Sequence, residues 1–268
     1  MTFAQVRVKP DTLDEENRKF VQSPLSKPLF LNSVPKSGSH LLRNIIRMFV
    51  PVESQYNIEF IQHQFLQFNL GAFDPGKKQL SWGHLLFTDV TAAPLAGVTQ
   101  ILLVRDPYDW VLAQARFLTS DEFEMDLGFL KDGSLSVDAI LNLMIFGINQ
   151  KISPLGSTYT YNAVAWLGTG AYLVRYEDLI DALRNLDEDK ADRFFSDLLE
   201  ACNIAKPEDW RERVRVGSDR NQSGTARENL TGGSSGYSGR ATGLAETHGR
   251  LRRAGFAIDA RLSMSLGA

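Results

Sequence analysis

The sequence predicts an α/β fold: a single domain in which a central, mainly parallel sheet is flanked by helices. Three stretches carry that expectation. Leu29-Phe30-Leu31-Asn32-Ser33-Val34 is a short apolar run that stops at Pro35, as a buried strand does. From Ser39 to Phe49 the period changes, with Leu41, Leu42, Ile45, Ile46, Met48 and Phe49 at helical spacing and Arg43 and Arg47 on another face. The succession returns at Val98–Val104, closed by Arg105-Asp106-Pro107, where Pro107 suits the first turn of a helix outlined by Trp110, Val111, Ala113, Gln114 and Phe117. A third strand, Ala171-Tyr172-Leu173-Val174-Arg175-Tyr176, follows a helix ending near Trp166. Strands that alternate with helices pair in parallel, and helices then cover both faces of the sheet.

The bulk properties bound what this domain can be. With 268 residues, 43% of them hydrophobic, the chain can bury a large core, and neither a repeat nor a linker divides it. We therefore expect an N-terminal arm over 1–28 and one domain over 29–268. The first nineteen residues mix acids and bases without an apolar core, which makes them a surface arm and not a secretory signal. A net charge of −3 argues against a broad cationic face for nucleic acid, so any anion site must be local. No apolar stretch approaches the roughly 18 residues of a membrane span; Val137–Ile148 is short and broken by Asp138 and Asn142, so a soluble protein is expected. A single cysteine, Cys202, rules out an intrachain disulfide and fits a reducing cytoplasm, and four dispersed histidines point to no metal site.

The chemistry concentrates at Val34-Pro35-Lys36-Ser37-Gly38-Ser39-His40. A strand that runs through a loop of small residues into a helix aims several backbone N–H groups at one point, where they and the helix terminus stabilise phosphate oxygens. Lys36 adds a full charge. Because this lysine precedes Gly38, the loop departs from the Walker arrangement G-x-x-x-x-G-K-[ST], which weakens a magnesium-dependent kinase or ATPase reading.

Pro35-Lys36-Ser37-Gly38-Ser39-His40 resembles the P-K-S-G-T-x phosphosulfate loop of the sulfotransferases that use 3′-phosphoadenosine-5′-phosphosulfate (PAPS). Three further segments fall in that family's order: Gly83-His84-Leu85, Arg105-Asp106-Pro107-Tyr108-Asp109 and Arg175-Tyr176-Glu177-Asp178-Leu179. The resemblance spans about residues 29–180 and implies the P-loop NTPase-like sulfotransferase architecture. It implies PAPS as sulfonate donor without a metal, and a small-molecule, lipid or saccharide acceptor bearing a hydroxyl, or in second place an amine.

On the matching positions, the resemblance implies that Lys36 supports the departing phosphate oxygen and that Ser37, Gly38, Ser39 and His40 hold the 5′-phosphate. His84 is implied as the base, and a histidine whose ordinary pKa is near about 6.5 can take a proton at neutral pH. Arg105 is implied for the 3′-phosphate and Tyr176 for the adenine. The sequence also departs from the family. Ala113 stands where a serine would complete the 3′-phosphate contact, leaving Gln114, Ser120 or a later loop as substitutes, and Leu41 stands where many relatives carry a tryptophan stacked on adenine. The late R-K-G-x-x-G-D-W pattern survives only as Thr231-Gly232-Gly233-Ser234-Ser235-Gly236-Tyr237, with Arg227 ranked before Arg240 as the replacement cation. That stretch belongs to a Gly- and Ser-rich region, 217–243, expected to be a mobile cofactor loop.

Other residues read blandly. Glu177 and Asp178, taken as an extended strand end, would point to opposite sides and are structural. His63 and His248 are surface or structural positions. The segment 53–83, with Tyr56, Phe60, Phe65, Phe68, Phe73 and Trp82, either lines an acceptor pocket or is a helical excursion whose aromatics are core. Two rival functions stand beside the sulfotransferase: a nucleotide-dependent phosphotransferase, with Asp106 as its metal carboxylate, and a non-catalytic nucleotide-binding relative.

Overall fold

A computed structural model describes residues 5–6, 9–56, 60–121 and 123–224. In chain order its strands are β1 (Gln5–Val6), β2 (Leu29–Ser33), β3 (Ile61–Gln62), β4 (Leu80–His84), β5 (Thr99–Val104), β6 (Phe123–Glu124) and β7 (Tyr172–Arg175). Its α-helices are α1 (Leu13–Asn17), α2 (Ser39–Arg47), α3 (Asp89–Ala92), α4 (Pro107–Leu118) and α5 (Val137–Phe146), followed by α6 (Leu155–Asn162), α7 (Tyr176–Arg184), α8 (Asp189–Ala201) and α9 (Trp210–Ser218). The described residues fall into two compact units, one drawn from 8–106 and 161–230 and the other from 1–7 and 107–160.

The first unit is built on a five-stranded sheet in the order β3-β4-β2-β5-β7, and every neighbouring pair is parallel. Both expected strands around Pro35 and Arg105 are present, as is the third before Glu177. β2 is buried along its whole length, as a central strand covered on both faces must be. Leu29, Leu31, Leu80, Trp82, Ile101, Leu103 and Val174 form one face and pack under Leu13 of α1, Leu42, Ile45 and Ile46 of α2, Leu179 of α7, Phe195 and Leu198 of α8, and Trp210 and Val214 of α9. Each fully buried Leu, Ile or Phe contributes roughly 1.5–3 kcal/mol. On the opposite face Phe30 meets Phe73 edge to face, with ring centroids 5.4 Å apart.

Four details differ from the sequence expectations. Two strands, β3 and β4, lie inside the aromatic segment 53–83, which also holds a 3-10 stretch, His63–Phe73. Glu177 and Asp178 are not on an extended end; α7 starts at Tyr176, directly after β7, and both acids sit in its first turn, where they complement the helix dipole. The arm is packed in its described part: Leu13 is fully buried, and Asp11 and Asp14 both bind Arg47, which is itself buried and not on an outer polar face. Finally, Gly217 and Ser218 close α9 and Arg220–Gln222 form a 3-10 turn, so this part of the Gly/Ser-rich region is regular structure. Residues 225–243, with Arg227 and Arg240, lie outside the described residues. No helix among the described residues is long and apolar enough to cross a membrane.

In the second unit β1 and β6 pair antiparallel, and α4 begins at Pro107 as expected. Ala113 and Gln114 lie on α4, and Ser120 spends its hydroxyl locally, donating to the Phe117 carbonyl at 2.8 Å.

Candidate active site

The carboxyl ends of β2, β4, β5 and β7 lie side by side, and each carries one of the residues singled out from sequence: the loop after Ser33, His84, Arg105 and Tyr176. In open parallel sheets the crevice beyond those ends, where the chain departs from a central strand to either side, is where ligands bind. Here β2 is that strand, flanked by β4 and β5.

The loop leaving β2 is held in a special backbone conformation. Val34 N–H donates to the Leu103 carbonyl at 3.0 Å, which ties the loop entrance to β5. Lys36 has φ 63° and Gly38 φ 95°, so a lysine, which avoids the left-handed region, is placed there. Such alternations turn successive N–H groups inward and make a concavity for anions. The first helical bond of α2 runs from Leu42 N–H to the Gly38 carbonyl at 3.1 Å, so the N–H groups of Ser39, His40 and Leu41 precede it. The Ser37 hydroxyl is fully buried in this loop and has no hydrogen-bond partner among the described residues.

Two residues predicted separately meet over this loop. The Arg105 guanidinium lies 4.5 Å from the centre of the Tyr176 ring, and its Nη1 donates to the Lys36 carbonyl at 3.4 Å. The Tyr176 ring also sets the identity of Gly38, since a Cβ there would come within 2.6 Å of Tyr176 Cδ2. Asp106 donates its N–H to Glu177 Oε1 at 2.9 Å, which joins the end of β5 to the start of α7. Leu41 packs against the hydrophobic core below the sheet face, and Pro35 is half-buried at the strand exit.

On the other side of β2 stands His84. Its Nδ1 is 2.9 Å from the Ser33 carbonyl and 3.0 Å from Ser33 Oγ, and Ser33 Oγ is 2.7 Å from Ser39 Oγ in the loop. A carbonyl can only accept, so Nδ1 carries the hydrogen and Nε2 keeps the lone pair. Asn32 fixes the neighbouring turn with two bonds, accepting from Leu85 N–H at 2.9 Å and donating to the Leu85 carbonyl at 3.2 Å. Ser33 and Asn32 were not singled out from sequence. Their only signal there is two polar residues closing an otherwise apolar strand.

The aromatic segment 53–83 is partly core and partly packed around the two histidines. Phe60 stands 4.6 Å from the His84 ring and 5.2 Å from Trp82, and His40 is 4.8 Å from Trp82, whereas Phe73 is core and Phe68 is exposed. This enclosure controls the histidines. Burial first, then the charges of Lys36 and Arg43, push the His40 pKa down to about 4 against an opposing pull from Asp11. His84 is pushed to about 3, mainly by burial and with smaller contributions from His40 and Lys36, while the Ser33 carbonyl acts the other way. Both rings are therefore neutral at pH 7, and an anion in the loop would offset only the smaller part of the shift that the nearby charges contribute.

No family model and no curated protein matches the chain. Among solved structures, that of mouse sulfotransferase SULT7A1 complexed with PAP aligns at 14% identity over 79% of this chain and 69% of its own, with a TM-score of 0.46. Retinol dehydratase in complex with androsterone and inactive cofactor PAP aligns at 13% identity over 84% of this chain and 81% of its own, TM-score 0.46. The complex of retinol dehydratase with retinol and PAP gives 13%, 84%, 82% and 0.42. All three were solved with PAP. In this chain the elements that bring Lys36, His84, Arg105 and Tyr176 together are the same ones that the sequence motifs mark, each at a strand end of one sheet edge.

Proposed function

We propose that this chain is a sulfotransferase that moves the sulfonate group of PAPS to a hydroxyl, or in second place an amine, of a small-molecule, lipid or saccharide acceptor. One observation carries the reading: Ser33 bridges Ser39 in the anion loop and His84 at the end of β4, so a donor-binding loop and a base share one hydrogen-bonded edge. The residues fit an anionic donor of this kind. The buried Ser37 hydroxyl has a hydrogen and, among the described residues, no acceptor for it, and Lys36 and Arg105 bring two cations to the loop.

In this reading Pro35 ends the strand, and Ser37, Gly38, Ser39, His40 and Leu41 surround the 5′-phosphate with N–H and hydroxyl donors. Arg105, with Arg227 from the later segment, grips the 3′-phosphate as a guanidinium can, bidentately. Tyr176 faces the adenine. When bound, PAPS supplies a sulfur that bonds to the acceptor oxygen as the bond to its phosphate oxygen breaks, the electron pair leaving with the phosphate. Lys36 neutralises charge at that departing oxygen, and His84 Nε2 takes the proton released as the acceptor O–H bond breaks. Phe60, itself packed on Trp82, keeps water from the His84 ring, which favours acceptors with an apolar or ring-shaped body. Residues 29–268 act as one sulfotransferase domain whose Gly- and Ser-rich stretch completes the cofactor site, and the single, buried Cys202 suits work in the cytoplasm.

Thermal-shift titration separates this reading from a kinase-like one, because a ligand bound only by the native state raises its apparent stability. PAP is expected to raise the melting temperature more than ATP or ATP with magnesium. Tight binding of ATP with magnesium and no response to PAP would overturn the proposal.

A further inference from the structure

Ser33 is 2% exposed at the end of a strand that is otherwise hydrophobic apart from Asn32. A hydroxyl buried there is costly unless its hydrogen bonds are met, and an alanine or valine would pack with no such demand. Its surroundings meet them on three sides: Ser39 Oγ at 2.7 Å, His84 Nδ1 at 3.0 Å and the Gly83 carbonyl at 3.4 Å. The Ser33 carbonyl adds a second acceptor for the same His84 nitrogen at 2.9 Å.

The directions of these bonds follow from which atoms can donate. The His84 Nδ1 hydrogen is shared between the carbonyl and the hydroxyl oxygen of Ser33. With that lone pair engaged, the one Ser33 hydrogen has two acceptors in reach, Ser39 Oγ at 2.7 Å and the Gly83 carbonyl at 3.4 Å; donated to the nearer, it leaves the Ser39 hydrogen for the loop. In that arrangement every hydrogen in the row points from the histidine toward the anion site.

We infer that Ser33 is a positioning residue for the base: its hydroxyl gives the His84 Nδ1 hydrogen a second acceptor and so holds the orientation of the ring. The inference rests on the reading of His84 as base and of the loop as donor site. With an anion at the loop, Ser39 donates to it, Ser33 donates to Ser39, and the His84 ring is held by both Ser33 oxygens with Nε2 presented to the acceptor. When Nε2 takes the acceptor proton, the acceptor O–H bond breaks and an N–H bond forms. The imidazolium keeps its Nδ1 hydrogen on Ser33, whose carbonyl stabilises the charge. Among the described residues, the hydrogen-bond partners of the ring are this backbone carbonyl and this hydroxyl, with no carboxylate.

The test uses full-length Ser33→Ala and Ser33→Thr, with His84→Ala alongside. Label transfer from sulfur-labelled PAPS to a panel of phenols and alcohols gives kcat and KM, calorimetry gives PAP affinity, and proton NMR follows the His84 Nδ1 hydrogen. Ser33→Ala is expected to stay folded and bind PAP as the wild type does, to lose about tenfold in kcat, the equivalent of one neutral hydrogen bond, and to broaden the Nδ1 hydrogen resonance by exchange with water. Ser33→Thr keeps the hydroxyl and restores both rate and resonance. Wild-type kcat with a sharp resonance in Ser33→Ala would overturn the inference, and so would parallel loss of PAP affinity and kcat, which would make the hydroxyl part of the loop alone. A wild-type rate in His84→Ala would instead bring down the base on which the inference rests. The resonance is read without turnover, so the two failures are distinguishable.

Discussion

The ring of Tyr176 occupies the space that any side chain at Gly38 would need, with Cδ2 2.6 Å and Cε2 2.7 Å from the position of a Cβ. Gly38 also holds φ 95°, so two independent penalties guard this position. Gly38→Ala should lower stability by about 1–3 kcal/mol and abolish the melting-temperature response to PAP. Tyr176→Ala removes the steric part and leaves the backbone part. The double variant should therefore be less destabilised than the sum of the two single ones, and additive values in denaturant titrations would contradict this contact.

Lys36 carries backbone strain at the most charged point of the loop, with φ 63°. Glycine adopts that conformation freely, whereas alanine does not. Lys36→Gly should melt at or above the temperature of Lys36→Ala, and both should lose most sulfonate transfer. A stabilised but inactive glycine variant is the signature of a residue kept for its charge at some cost to the fold.

The two histidines give the stability a direction with pH. His40 and His84 are pushed to about 4 and about 3, below the ordinary value near about 6.5 expected in the unfolded chain. Between those limits the unfolded state binds more protons, so their contribution is complete above about pH 6.5 and is lost as pH falls toward 4. Thermal melting across this range should show the loss, and His40→Asn should flatten it. PAP should bind more tightly at pH 6 than at pH 8 in the wild type relative to His40→Asn, because an anion beside His40 raises its affinity for a proton. Equal pH profiles for the two proteins would rule out His40 as a group facing the anion.

Arg47 tests the packing of the arm. Its side chain is 5% exposed and bonds to Asp11 at 3.0 Å and to Asp14. Arg47→Ala should cost about 2 kcal/mol, less than a fully buried pair because Asp14 is half exposed, and removal of residues 1–20 should cost more through the loss of Leu13. A truncated protein with an unchanged melting temperature would return these residues to the status of a loose tail.

Much of this architecture is legible in the sequence, and for definite reasons. β2, α2, β5 and β7 announce themselves because apolar runs and a change of period are local properties of the chain. β4 does not, since Leu80-Ser81-Trp82-Gly83-His84 has no apolar run; its burial comes from its neighbours. Gly83 lies so close to β3 that a Cβ would be 2.2 Å from the Ile61 carbonyl oxygen, a constraint that exists only once the strands pair. The motifs placed Lys36, His84, Arg105 and Tyr176 on four segments, and the parallel order β4-β2-β5-β7 puts those segments at one edge. Ser33 stayed silent because its meaning is entirely relational: it is a serine between two partners that are 6 and 51 residues away. Glu177 is structural as expected, accepting the Asp106 N–H, but an extended reading of Arg175-Tyr176-Glu177 hides the helix that starts at Tyr176.

The most direct test of the central claim is transfer of labelled sulfonate from PAPS to an acceptor panel by the wild type, Lys36→Ala and His84→Ala, with products identified by mass spectrometry. The wild type is expected to yield a sulfonated product, and each variant, still folded, to lose about 100-fold or more of the rate, as removal of a base or of a group stabilising the leaving charge does. Wild-type rates in both variants would contradict it.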